Sequence, residues 1–119
     1  MAKILLVGYI PELLQEPERL LVSIGHNVTM APSYTSACEA IKDGLIDVAI
    51  FGFSVPEEER KQLAGDLLVA SPAAKIIMIY FANVRNTELA DALMPTTASA
   101  EEVLRAVNHL LNQGRDRAG

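Results

Sequence analysis

Apolar residues in this chain fall into short unbroken runs, separated by longer stretches in which they recur every three or four positions; that alternation predicts strands alternating with helices. The run Val48, Ala49, Ile50, Phe51 and Phe53, interrupted by Gly52 and followed by Ser54 and Pro56, is apolar on both alternating faces. A strand of that kind belongs in the middle of a parallel sheet covered by helices on both sides. Lys3–Val7 and Asn27–Ala31 predict two strands before it and Lys75–Phe81 one after it, with a stub near Leu93 and Met94 as a fifth.

The intervening stretches read as amphipathic helices. Leu13, Leu14, Leu20, Leu21 and Ile24 mark the first, from about Pro11 to Ile24. Pro17 lies inside it, so either the helix kinks there or its regular part starts near Glu16, with the proline in the first turn where its missing donor costs nothing. Ser33 is placed to cap a second helix lined by Ala37, Ala40 and Ile41. Ser54 and Glu57 have capping-box spacing ahead of a third, lined by Leu63, Ala64, Leu67 and Leu68; Ser99 and Glu102 repeat that spacing ahead of the last, lined by Val103, Ala106, Val107, Leu110 and Leu111. A short fourth helix is expected from Thr87 to Leu93, and Gln113 to Gly119 reads as a frayed polar tail.

Strands and helices alternating at this spacing imply βαβ units with right-handed crossovers, hence a single-domain three-layer α/β/α sandwich. The 119 residues, half of them hydrophobic, suffice for one core; the domain is expected to span 1–113, followed by the polar tail 114–119. A formal net charge of −5 argues against a nucleic-acid partner. The single cysteine, Cys38, offers neither an internal disulfide nor a paired-thiol site. No apolar run approaches the roughly 18 residues of a membrane span and no signal-peptide pattern opens the chain, so a cytoplasmic location is expected.

In such sheets ligands gather outside the carboxyl ends of the strands. What stands there is glycine and aromatic residues: Gly8 and Tyr9 after the first strand, Gly52 and Phe53 after the third, Tyr80 and Phe81 at the end of the fourth. No nucleotide loop continues from Gly8. His26 and His109 have no ligand spacing, and no serine or cysteine motif recruits either as a base. Glu57, Glu58 and Glu59 fit the positive end of a helix better than a cation site. With no triad, metal cluster or cofactor loop, the chain is read as no enzyme, with no cofactor and no metal.

The segments Lys3–Val7 with Pro11–Leu14, Gly25–Ala31, Ser33 with Ala37, Ala40 and Ile41, Ile46–Ile50 with Val55 and Pro56, and Ala74–Ile79 resemble the receiver domain of bacterial response regulators. The resemblance spans Lys3 to about Leu111 and rests mostly on scaffold positions. It implies a flavodoxin-like fold with strand order 2-1-3-4-5. The family's phosphorylated aspartate, four residues before the proline, falls on Gly52, and its cation-holding acidic pair on Gly8 and Tyr9. The hydroxyl-bearing switch residue falls on Tyr80, and the lysine on Thr96, or on Met94 if Pro95 is matched to the family's proline. From Tyr80 to Thr96 is only 16 positions, which implies a shortened fourth helix.

The resemblance therefore implies a degenerate pseudo-receiver: a stand-alone signalling protein that acts through a protein partner without aspartyl phosphorylation. Tyr9, Phe53, Tyr80 and Phe81 could instead form an aromatic pocket for a small molecule or a partner's side chain, or simply fill space. Leu93 and Leu104 lie off the core stripes, on what in receivers is the output face of the fourth and fifth helices; the same face would serve a homodimer.

Overall fold

The computed structural model describes residues 2–80 and 89–118, with side chains to residue 112. Five strands, β1 (Lys3–Val7), β2 (Asn27–Ala31), β3 (Val48–Phe51), β4 (Lys75–Tyr80) and β5 (Ala92–Pro95), form one parallel sheet in the order β2-β1-β3-β4-β5. This is the flavodoxin-like topology expected. The described helices are α1 (Gln15–Ser23), preceded by a 3-10 turn over Pro11–Leu14, then α2 (Tyr34–Lys42), α3 (Glu57–Ala70) and α4 (Ala100–Ala118), the last being the helix expected as the fifth.

Side chains alternate across each strand, so each central strand feeds two cores. Leu5, Val7, Ala49, Phe51, Ile76 and Met78 pack on one face with Ala37 and Ile41 of α2 and Leu63, Ala64 and Leu67 of α3. Ile4, Leu6, Val48, Ile50, Ile77 and Ile79 pack on the other with Leu21 of α1 and Val103, Val107 and Leu110 of α4. Burial on both faces is why these strands read as continuous apolar runs rather than alternating ones.

Pro17 falls in the first turn of α1, so the helix starts late instead of kinking, and the proline is buried. Ser33 caps α2, exchanging hydrogen bonds with Ser36, and Ser99 and Glu102 form the expected box at the start of α4. The box expected at Ser54 and Glu57 does not form: α3 starts after Pro56 with no side-chain cap. Leu93 is in β5, not in a helix. The rest of the expected fourth helix is not helical where it is described: Leu89 lies in a turn, Asp91 in a bend, and Ala92 already opens β5; Thr87, Glu88 and Phe81 lie outside the described residues. The α4 backbone continues to Ala118, through residues expected to form a frayed tail.

Candidate functional site

The loops after β1 and β3 meet at the carboxyl edge of the sheet because those strands are neighbours. Gly52 N donates to Val7 O at 2.8 Å, continuing the β1–β3 ladder one residue past Phe51, and Val55 N donates back to Gly52 O at 3.2 Å to turn the chain. A Cβ on Gly52 would lie 3.7 Å from Gly8 Cα. The positions matched to the phosphorylated aspartate and to the first of the acidic pair are thus side by side, and both are glycines.

Leu14 occupies the space between them. A Cβ on Gly8 would sit 2.6 Å from Leu14 Cδ1, closer than any side chain tolerates, and a Cβ on Gly52 would sit 3.6 Å from the same atom. Leu14 ends the 3-10 turn and is buried in the α1/α4 core with Ile50 and Ile79. In sequence it reads as one more residue of a helix stripe; the signal for its position was the pair of glycines on neighbouring strand ends, which leaves room for a bulky neighbour.

Ser54, expected to cap α3, instead accepts hydrogen bonds at Oγ from Tyr9 N at 2.9 Å and Ile10 N at 3.3 Å. It ties the β1 loop to the β3 loop. Tyr9 turns to the other side of the sheet, packs against the α2/α3 core and donates its hydroxyl to Glu59 on α3. Burial, reinforced by the carboxylate of Glu59, holds the phenol above its usual pKa of 10.0.

Beside Leu14 a cleft of about 80 Å³ opens between the 3-10 turn, the β3 loop and the segment from Pro95 into α4. Leu13, Pro17, Phe53, Ile79, Thr96 and Val103 contribute to its walls. Thr96 is held there by its N–H, which donates to Tyr80 O at 3.0 Å, next to the paired residues Tyr80 and Pro95. Of the described residues expected in an aromatic pocket, Phe53 lines the cleft while Tyr9 faces the opposite core and Tyr80, half-buried, is not part of the wall. Phe51 is fully buried among the α2/α3 contacts.

Elsewhere, Leu104 packs against the α1/α4 core, whereas Leu93 is 48% exposed on the edge strand β5. His109 is exposed on α4, and Cys38 is half-buried against the α2/α3 core. His26 accepts at Nδ1 from Ala2 N at 3.3 Å, and burial lowers its pKa. Among the described residues no group of three or more His, Cys, Asp or Glu is placed to hold a metal ion, and no helix is long and apolar enough to cross a membrane.

With this geometry in view, the fold is that of response-regulator receiver domains. A CheY-like receiver domain protein from Methanospirillum hungatei JF-1 superposes with a TM-score of 0.86 at 20% identity, over 98% of each chain. A receiver domain protein from Clostridium thermocellum superposes at 0.82 with 22% identity, over 97% of this chain and 98% of that one. The response regulator TrrA of Thermotoga maritima, solved in complex with Mg(2+)-BeF, gives 0.79 at 23% identity, over 93% of this chain and all of its own. No protein-family model matches the sequence, and no curated protein matches it.

Proposed function

We propose that this chain is a receiver-fold component of bacterial signal transduction that works by binding a protein partner, without taking a phosphoryl group onto an aspartate. One observation carries the reading: Leu14 lies across the paired glycines Gly8 and Gly52, at the positions where the receiver resemblance calls for a cation-binding acid and a phosphoacceptor. Phosphoryl transfer needs a nucleophile and a cation to offset developing charge. Here two of the positions carry no side chain, the third is a tyrosine already bonded to Glu59, and the space is filled by an aliphatic group. Hard cations take oxygen ligands, and this donor set does not suit the Mg²⁺ that the fold family implies. What remains is a rigid scaffold with a shaped surface, and binding is what such a scaffold does without chemistry. Cytoplasmic location follows from the same signalling role.

Intact-mass spectrometry after incubation with acetyl phosphate and Mg²⁺ tests this. The expected spectrum is unchanged; the addition of one phosphoryl mass overturns the reading.

A further inference from the structure

We infer that the cleft beside Leu14 is the docking point for a basic peptide segment of the partner, which inserts one aliphatic side chain between Leu13 and Phe53. The inference rests on the partner-binding function proposed above and names the surface and the chemistry that would recognise it.

The cleft is small and mostly apolar, with Ser54 and Thr96 as its polar side chains. At about 80 Å³ it is well below the roughly 300–1000 Å³ of sites that enclose a small molecule, and suits a single side-chain branch. Its rim is apolar and open to solvent: Leu13 is 51% exposed and Phe53 39%, and Ile10, whose N–H is held by Ser54, is 46% exposed. A large aromatic ring beside a small cleft, next to further exposed aliphatic surface, is the kind of arrangement in which a few anchor residues carry most of a binding energy.

Charge selects the occupant. Three of the segments that wall the cleft carry exposed or half-exposed glutamate within a few residues, Glu12 beside Leu13, Glu57 and Glu58 after Ser54, and Glu101 ahead of Val103, against exposed Arg105 beyond Val103 and Arg19 beyond Pro17, the latter paired with Glu16. Parallel strands place the starts of all their helices at the same edge of the sheet, so these acids gather there. Favouring the positive helix ends explains their presence, and the negative field they set around the cleft exists regardless. Among the described residues no lysine or arginine lines the cleft. A second copy of this chain, with net charge −5 and the same acidic rim, would be repelled from this surface, whereas a Lys- or Arg-rich segment is attracted to it.

The test is selection of a displayed random dodecapeptide library on the intact protein, followed by affinity measurement of the enriched peptides as synthetic probes. Enriched sequences are expected to combine an aliphatic residue with flanking lysine or arginine, and their binding to weaken as salt is raised. Ala98→Leu, which fills the cleft, is expected to weaken binding about tenfold or more. The triple change Glu12→Gln, Glu58→Gln and Glu101→Gln leaves the core untouched and is expected to weaken it mainly through the association rate. An unchanged amide NMR pattern away from the cleft establishes that each variant is folded. Enrichment of neutral or acidic peptides, binding indifferent to both variants, or no enrichment overturns the inference. Peptides that bind at Leu93 instead overturn this surface and leave the partner-binding function standing; that function falls separately, by phosphoryl uptake.

Discussion

Leu14 Cδ1 lies 2.6 Å from where a Cβ on Gly8 would be. Gly8→Ala forces this buried leucine out of its packed position, at an expected cost of about 1–3 kcal/mol. Leu14→Ala alone costs roughly 2–5 kcal/mol through the cavity it leaves. In the double variant the new methyl enters space the leucine has vacated, so the two losses are expected to sum to more than the loss in the pair. Urea denaturation of the four proteins measures the coupling, and strict additivity would mean that the contact carries no energy.

Gly52→Asp returns a carboxylate to the matched phosphoacceptor position. It is expected to be folded but weakened, because the new Cβ sits 3.4 Å from Val7 O and 3.6 Å from Leu14 Cδ1, and to gain no phosphoryl mass from acetyl phosphate with Mg²⁺. Gly8 and Tyr9 still offer no acidic pair for the cation. A phosphorylated Gly52→Asp protein would show that one carboxylate suffices.

Ser54 Oγ holds the N–H groups of Tyr9 and Ile10. Ser54→Ala removes the one oxygen that accepts both bonds; water can replace the bond at exposed Ile10 more readily than the one at half-buried Tyr9, so the expected cost is about 1 kcal/mol. Amide exchange localises it. Faster exchange at Tyr9 and Ile10 with little change in the first turn of α3 is the expected result, and the reverse pattern would restore Ser54 to the helix-capping role that its spacing to Glu57 suggests.

That misreading shows where sequence stops being informative. Ser54-x-x-Glu57 and Ser99-x-x-Glu102 are equivalent as strings, yet only the second caps its helix, because the hydroxyl of Ser54 meets the backbone of a strand-adjacent loop that is 45 residues away. Central strands were legible for a local reason: burial on both faces of the sheet demands apolar runs, and Lys3–Val7 coincides with β1; Asn27–Ala31 also coincides with β2, though that edge strand is only partly buried. Pro17 left two alternatives because propensity constrains where proline can sit in a helix without saying how the preceding Pro11–Leu14 will fold. The site was legible as a set of positions, Gly8 and Gly52 among them, but the plug was not: that Leu14 points between two strand ends is a fact of tertiary packing. The aromatic residues likewise looked convergent because the strands end together, whereas Tyr9 and Phe53 both lie past the strand ends: Tyr9 packs on the α2/α3 side and Phe53, in the turn after Gly52, lines the cleft on the other.

The raised pKa of Tyr9 makes alkaline stability depend on this residue. The unfolded chain ionises the phenol near pH 10, whereas the folded chain holds its proton beside Glu59. The stabilisation is therefore complete below about pH 10 and is lost as pH rises from there towards the folded value. Tyr9→Phe is expected to be less stable at neutral pH and to lose less stability than the parent above about pH 10. Parallel denaturation curves across that range would mean that the phenol ionises alike in both states.

His26 reports on the acid side. Its Nδ1 accepts from Ala2 N, its Nε2 is buried, and burial disfavours the imidazolium, with Asp47 opposing more weakly. The folded pKa thus lies below the ordinary 6.5. As pH falls through about 6.5 the unfolded chain takes up a proton that the folded chain refuses, so stability declines from there down to the folded pKa and levels off once both states are protonated. His26→Gln keeps an amide oxygen able to accept from Ala2 and cannot titrate. Over about pH 7 to pH 5, above the range in which ordinary carboxylates protonate, the parent is expected to lose stability and His26→Gln to stay level. Urea midpoints of the two proteins at matched pH measure this, and an equal slope in both would assign the acid sensitivity to some other group.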